Sequence, residues 1–294
     1  MIARRLRSWV AGALGALLAL ASAGAAAAEP PVWVVKDKDS ELVLFGSVHV
    51  LPPGLKWEPP ALKRAIAGAD DIWFELPVDP ATEAATAQLA TQLGVLPPDQ
   101  SLFRLLPPAD SAQLARVAQA YGVSTMLLDR LKPWMAEIAL AGAAYRKSGA
   151  ETGSGVEQAL SAEAPATAQR RAFETPAEQL GIFAATPVPE QIVSLRETMK
   201  ELEDKPDEYD TLIRAWTSGD VAALEKEALD PLREASPGLF RRIVTERNDR
   251  WIATLQARLR GKGRTVVVVG VGHLVGPGGL PARLRALGYS VQGP

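Results

Sequence analysis

The stretch VVVVGVGHLVGPGGL, residues 266–280, decides the fold because it is an apolar, β-branched run that ends at a glycine-rich turn. The stretch LVLFGSVHVLPPG, residues 42–54, has the same design. Each run is typical of a buried strand. Each also places a histidine three residues after a glycine, at His49 and His273. The chain has 2 histidines, and both belong to this repeated Gly-x-x-His pattern.

Strands at both ends of the chain predict a sheet in which the first and last strands are neighbours. A hairpin is expected where strands 32–35 and 42–50 flank the polar segment 36–40. Residues 80–260 are expected to be mainly helical, with prolines between helices of ordinary length. The fold class is therefore α/β (α+β), with a central mixed, mainly parallel sheet built from both chain ends and a large helical insert.

Local patterns predict the other elements. Thr175 and Glu178 match a capping box at the start of a helix, where Pro176 suits the first turn. The longest helix is expected over residues 237–260. The remaining expected elements are a helix at 60–67, strands at 72–74, 169–173 and 264–269, a helix at 280–286 and a last strand at 289–291.

The first 28 residues are typical of a cleaved secretory signal. Three arginines within residues 4–7 precede an apolar segment, and alanines end it at positions 26–28. The alternative is a transmembrane anchor, but the segment is short and rich in Ala and Gly for a span of about 20 strongly apolar residues. We therefore expect residues 1–28 to be removed. Residues 29–294 would form one periplasmic or secreted domain with no stable membrane anchor.

Composition limits the classes of function. The chain has 32 Lys and Arg against 34 Asp and Glu, and three of the arginines leave with the signal. This mildly acidic balance argues against nucleic-acid binding, which needs a basic face. The cysteine count is 0, which excludes disulfides, thiol catalysis and lipid attachment through cysteine. The Gly270-Val271-Gly272 turn lacks the later acidic residue of a dinucleotide-binding fingerprint.

Four polar side chains follow predicted strands and are the candidates for a functional site. They are His49, Glu75, Glu174 and His273. If the strands are parallel, their carboxyl ends meet at one edge of the sheet. The glycines before the histidines would allow a sharp turn, through positive φ or through the absence of a Cβ.

Two histidines with one or two carboxylates form a suitable set for a divalent metal ion. Neutral imidazole and carboxylate suit Zn, Mn, Fe or Co. A metal-bound water reaches a pKa of about 7 and can act as a nucleophile, with a free carboxylate as general base. The structural alternative stays open: a histidine after a strand is often a satisfied polar group, and Glu174 could cap the helix that follows it.

Several further motifs, together with the two Gly-x-x-His stretches, resemble the TraB/GumN family, which includes the Tiki proteins. These motifs are IWFELP (72–77), LKPWMAE (131–137), GSGVEQAL (153–160), FETPAEQL (173–180) and ERNDRW (246–251). The resemblance spans nearly the whole chain after the signal. It implies an α/β fold similar to that of erythromycin-esterase-like and ChaN-like proteins. Since Tiki members resemble metal-dependent proteases, it also implies that His49, Glu75 and His273 are metal or catalytic residues.

Two parts of the resemblance concern other residues. Where the family commonly shows Gly-Val-Asp, this chain has Gly155-Val156-Glu157, which keeps the charge but has a longer reach, so the role of Glu157 stays open. In 246–251, Arg247 and Trp251 share a helix face. Arg247 would either bind a carboxylate and stabilise negative charge or hold Glu75 or Glu174 in a salt bridge. Asn248 would hydrogen-bond substrate or a histidine.

The sequence therefore predicts an exported metal-dependent hydrolase, more specifically a peptidase. The candidate metal ligands are His49, Glu75 and His273, and the candidate catalytic residues are Glu75, Glu174, Arg247 and Asn248. The expected cofactor is a divalent metal ion (Zn, Mn, Co or Fe), and the expected substrate is a peptide or small molecule. Two alternatives remain. The ChaN-like relatives resemble haem or iron binders, and an envelope or polysaccharide-assembly factor could carry the same site without catalysis.

Overall fold

The computed structural model describes residues 28–151 and 153–294, and six strands in it form one mixed sheet. The strands are β1 (Val32–Lys36), β2 (Ser40–Ser47), β3 (Asp71–Phe74), β4 (Gln169–Ala172), β5 (Gly263–Gly270) and β6 (Val291–Gln292). Their order in the sheet is β4-β3-β5-β2-β1-β6. The neighbours from β4 to β2 are parallel, and β1 is antiparallel to both β2 and β6. The predicted mixed, mainly parallel sheet is confirmed. The predicted signal, apart from Ala28, lies outside the described residues.

The two central strands explain why both Gly-x-x-His stretches begin with apolar runs. β2 pairs with β5 along its whole length, from Ser40 opposite Gly263 to Ser47 opposite Gly270. Most side chains of both strands are buried, as expected for parallel strands that are covered on both faces. The predicted hairpin between β1 and β2 is also present.

Helices fill most of the chain between β3 and β5. The α-helices are α1 (Pro60–Ala67), α2 (Pro80–Gly94), α3 (Leu102–Leu105), α4 (Pro108–Ala120), α5 (Thr125–Leu128), α6 (Pro133–Lys147), α7 (Val156–Glu163), α8 (Pro176–Ala184), α9 (Val188–Asp204), α10 (Glu208–Ser218), α11 (Val221–Ala228), α12 (Asp230–Ala235), α13 (Pro237–Phe240), α14 (Glu246–Leu259) and α15 (Leu280–Ala286). The predicted capping box of Thr175 and Glu178 opens α8. Among the described residues, no helix combines the length and apolar character needed to cross a bilayer.

The prediction of one long helix over 237–260 is wrong in one respect. A π-helical turn at Arg241–Thr245 separates α13 from α14. Because a π turn holds more residues than an α turn, it changes which face of the following helix meets the protein. Arg247 and Asn248, which follow this turn, lie on the buried side of α14. The longest uninterrupted α-helix in the described part of the chain is α9, with 17 residues. The last strand is also shifted, to Val291–Gln292.

Two apolar clusters hold the fold together. The larger surrounds the sheet and includes Phe45, Trp57 and Trp216, whose ring centroids lie 5.7–6.0 Å apart. The smaller is formed within the helical layer by side chains such as Leu114 of α4 and Leu195 of α9. The helical layer therefore has apolar support of its own.

Candidate functional site

The candidate site lies at the carboxyl edge of the four parallel strands. His49 follows β2 by two residues, Glu75 follows β3, and Glu174 follows β4. After β5 a 3₁₀ turn, Val271–His273, carries the second histidine. Because β2, β3, β4 and β5 run in the same direction, these polar side chains share one edge of the sheet.

Gly270 marks the point where three of these side chains converge. A Cβ atom placed on Gly270 would lie 3.1 Å from Glu75 Oε1, 3.7 Å from His49 Nε2 and 3.9 Å from His273 Cδ2. His273 Nε2 and Glu75 Oε1 are 3.8 Å apart. The structure thus brings both histidines of the chain and one carboxylate around a small space that a side chain at position 270 would fill.

The glycines of the two motifs provide space rather than unusual backbone angles. Gly46, Gly270 and Gly272 all have negative φ. A Cβ on Gly46 would lie 2.8 Å from a methyl group of Val271, and one on Gly272 would lie 2.9 Å from Leu229. Of the two expected reasons for these glycines, the absence of a Cβ is the one that applies.

Arg247 connects the buried groups of the site. Its guanidinium donates to Glu75 Oε2 at 2.5 Å, to Glu174 at 2.8–3.0 Å and to His273 Nε2 at 3.0 Å. It also lies over the Trp251 ring, 4.7 Å from the centroid. The Arg247 side chain is 5 % exposed and that of Glu174 is 2 % exposed. The salt-bridge role considered for Arg247 is therefore present, and it includes both glutamates.

Glu174 serves as the anchor for Arg247 and does not cap the following helix. Thr175 and Glu178 supply the cap of α8. Glu174 instead pairs with Arg247 and, at 3.1 Å, with Arg250. Its carboxylate accepts from Nε and Nη2 of the guanidinium, and Nη2 also donates to Glu75.

His273 is a buried, neutral imidazole with a defined orientation. Its Nδ1 lies 2.8 Å from Asn248 Oδ1, and an amide oxygen can only accept, so Nδ1 donates and Nε2 accepts from Arg247. Asn248 is itself held by donating to the carbonyl oxygens of His273 and Gly278. Burial lowers the pKa of His273 to about 3, and the positive charge of Arg247 contributes in the same direction.

Glu75 is held as a carboxylate. Burial alone would raise its pKa, but the charges of Arg247 and His49 and the Gly270 N–H lower the pKa well below its usual range. Gly270 N donates to Oε1 at 2.7 Å, and Gln179 Nε2 donates to Oε2 at 3.0 Å. Both oxygens are fixed, and Oε1 faces the two histidines.

His49 lies at the open side of the site, with its side chain 67 % exposed. Its Nδ1 donates to Glu157 Oε1 at 2.6 Å, and Ser47 Oγ donates to the same oxygen at 2.7 Å. The negative charge of Glu157 raises the pKa of His49 above its usual range. His49 Nε2 remains directed toward Gly270.

Sequence reasoning missed three of these contacts. The sequence leaves the role of Glu157 open and gives no role to Ser47 or Gln179. Ser47 stands inside the first Gly-x-x-His motif, and Glu157 follows a glycine at the start of α7, so both carried a positional signal. Gln179 carried none, because nothing in the spacing of α8 shows that it reaches Glu75.

The donor atoms around Gly270 could hold a divalent cation after one local change. In the described part of the chain, no group of three or more Asp, Glu or His side chains is already arranged as a metal-ligand set, and Arg247 contacts His273 Nε2. Two ligands of a tetrahedral zinc ion lie about 3.4 Å apart, against 3.8 Å between His273 Nε2 and Glu75 Oε1. Imidazole and carboxylate are also suitable ligands. The donor types suit a divalent cation, and a bound ion would have to replace the Arg247 hydrogen bond at His273 Nε2.

Comparison with known proteins gives one match. The TraB/PrgY/gumN family matches residues 31–293, nearly the whole of the chain. No curated protein and no solved structure matches this chain. The family match covers all the strands and all the side chains of the candidate site.

Proposed function

Because the chain belongs to the TraB/PrgY/gumN family, we propose that it is an exported, metal-dependent hydrolase, more specifically a peptidase. The observation that carries the proposal is the convergence of His49, Glu75 and His273 around Gly270. The peptidase assignment follows the resemblance of the motifs to Tiki proteins, and export follows the signal-like sequence of residues 1–28.

The proposal gives each side chain a role. The ion would be held by His49, Glu75 and His273. When bound, it supplies a Lewis acid that polarises a substrate carbonyl group and lowers the pKa of a water molecule. Glu75, kept ionised by its surroundings, would bind the ion or accept a proton from water at Oε1. Asn248 keeps His273 Nε2 directed into the site, and Arg247 provides positive charge beside it.

Metal analysis tests the ligand assignment. Purified wild-type protein should bind about one equivalent of Zn²⁺, Mn²⁺ or Co²⁺, and the double variant His49→Ala/His273→Ala should bind none, because it has lost both imidazoles. Metal content is measured by mass spectrometry after desalting. The control is Glu163→Gln, a change of charge on α7 away from the site, which should retain the ion. Unchanged metal content in the double variant would remove the metal-site proposal.

Peptide cleavage tests the reaction. The metal-loaded protein should cleave members of a quenched fluorescent peptide library, and Glu75→Gln should lower the rate by about 10²–10⁴-fold if the carboxylate transfers a proton. A loaded protein that cleaves no peptide would refute the peptidase assignment. A Soret band on haem titration, lost in the double histidine variant, would favour the haem-binding alternative.

Alanine at position 270 should block the site without altering any proposed ligand. The backbone angles of Gly270, φ −48° and ψ 135°, suit alanine, so the effect should come from the new methyl group beside Glu75 Oε1. Overpacking of about 1.4 kcal/mol corresponds to about tenfold weaker Zn²⁺ binding. Competition with a chromogenic chelator measures the affinity. The matched control is Gly142→Ala in α6, whose Cβ would meet only Arg146 at 3.5 Å, and equal affinities in the two variants would contradict the prediction.

A further inference from the structure

Glu157 is a largely buried carboxylate that the proposed function leaves without a role. Its Oε1 accepts hydrogen bonds from two groups of the first Gly-x-x-His motif, His49 Nδ1 and Ser47 Oγ. The Glu157 side chain is 13 % exposed, whereas that of His49 is 67 % exposed. His49 therefore donates its defined hydrogen bond toward the less exposed side of the site.

The start of α7 is built against the backbone that carries His49. Val156 N donates to the carbonyl oxygen of Val48 at 3.3 Å. A Cβ on Gly155 would lie 2.2 Å from the carbonyl oxygen of His49, so only glycine permits this approach. Glu157 then falls in the first turn of α7, where the helix dipole favours a negative charge. Gly155 thus packs against the backbone carbonyl of His49, and Glu157 contacts its ring.

The two histidines are oriented by the same kind of contact. His273 donates its Nδ1 proton to the amide oxygen of Asn248, and His49 donates its Nδ1 proton to the carboxylate of Glu157. His273 Nε2 accepts from Arg247 and lies 3.8 Å from Glu75 Oε1, and His49 Nε2 is directed toward Gly270. Ligating histidines characteristically donate their second N–H to a carboxylate or carbonyl oxygen, which fixes the ring and raises its strength as a ligand.

We propose that Glu157, assisted by Ser47, is a positioning residue that keeps His49 Nε2 directed into the site for metal binding. This inference rests on the proposed function. Glu157 does not touch the ion or the substrate; it acts through the His49 ring. Ser47 fixes the accepting oxygen, and Gly155 lets the helix approach closely enough for contact.

Measurement of Zn²⁺ affinity distinguishes a positioning role of Glu157 from a role in the stability of the fold. Glu157→Ala should weaken Zn²⁺ binding about 10–100-fold, and Glu157→Gln should recover part of the loss because its amide oxygen still accepts from Nδ1. Ser47→Ala should weaken binding about two- to tenfold, the equivalent of one hydrogen bond. The control Glu163→Gln lies on the same helix and should bind Zn²⁺ as the wild type does.

Nuclear magnetic resonance of the metal-free protein detects the imidazole N–H protons of His49 directly. The chain contains 2 histidines, so the spectrum of one single-histidine variant assigns the signals of both. The wild type and Glu157→Gln should show a hydrogen-bonded, slowly exchanging Nδ1 proton on His49 that Glu157→Ala lacks. The His273 signals should be the same in all three proteins.

The outcomes distinguish the two proposals. Equal Zn²⁺ affinities in wild type and Glu157→Ala would overturn the positioning role and leave the proposed function intact. A wild type that binds no divalent ion would overturn the proposed function and the metal-binding role together. An unchanged His49 proton signal in Glu157→Ala would overturn the positioning role whether or not a metal binds.

Discussion

Replacement of Arg247 with methionine should lower the free energy of unfolding by about 3–5 kcal/mol, the usual cost of removing one partner from a buried ion pair. The guanidinium is the main partner of both Glu75 and Glu174, and all three side chains are at most 10 % exposed. The variant would leave the buried Glu75 without its arginine partner and the buried Glu174 with only the exposed Arg250. Denaturation by urea at pH 7.5, with circular dichroism as the signal, measures the loss.

The destabilisation should depend on pH in a defined direction. In the wild type the pKa of Glu75 is lowered, so this group contributes stability above the usual carboxylate pKa and loses it only as the pH falls through the lower, folded value. Without Arg247, burial raises the pKa of Glu75, and taking up a proton relieves the cost of the buried charge. The stability difference between variant and wild type should therefore shrink as the pH is lowered from 7.5 toward 5.

Arg250 offers a matched control for this prediction. It also pairs with Glu174, at 3.1 Å, but its side chain is 55 % exposed. Exposed ion pairs contribute about 0–1 kcal/mol, so Arg250→Met should change stability little. Similar losses from the two substitutions would show that burial of Arg247 between two carboxylates is not the source of the effect.

Alanine at position 155 should have the second large effect. The backbone angles of Gly155, φ −71° and ψ 162°, are accessible to alanine, so strain does not enter. The loss of stability should come from a steric clash with the backbone of His49, because a Cβ would lie 2.2 Å from the carbonyl oxygen and 2.9 Å from the carbonyl carbon. Overpacking costs about 1–3 kcal/mol. Relief requires α7 to move away from His49, which would also separate Glu157 from the ring.

Two measurements check the prediction for position 155. Thermal unfolding should show the loss of stability, and Zn²⁺ titration should show weakened binding, as in Glu157→Ala. Gly142→Ala in α6 serves as the control, and it should be neutral or stabilise the protein by about 0.5–1 kcal/mol, as expected for alanine in a helix interior. Wild-type stability and affinity in Gly155→Ala would show that the close approach of α7 is not required.

Much of the sheet could be predicted from the sequence. The β-branched run at 266–269 has the composition of a strand buried on both faces, and the polar turn between β1 and β2 marks a hairpin. These signals are local and depend on periodicity and turn chemistry. The common edge of His49, Glu75, Glu174 and His273 follows from the parallel direction of their strands, so their shared location could also be anticipated.

The connections within the site could not be predicted in the same way. Arg247 reaches Glu75, 172 positions away, from the first turn of α14, directly after the π turn, and no residue pattern in 237–260 indicates where that turn falls. Glu157 meets His49 across 108 positions, through packing of a helix against a loop. Such contacts depend on how helices sit on the sheet, which the spacing of apolar residues does not specify.

The strand order limits how far the sheet can fold while the chain is still being synthesised on the ribosome. Glu41 of β2 and Arg264 of β5 are neighbours in the sheet although they are 223 positions apart in sequence. Pairing over such a separation is slow to form, and it has to wait until synthesis is almost finished. Any shortened product that stops before β5 lacks the middle of its sheet rather than an edge. It would therefore present the unpaired backbone of β2 and β3 to other chains, which makes truncation a direct route to aggregation.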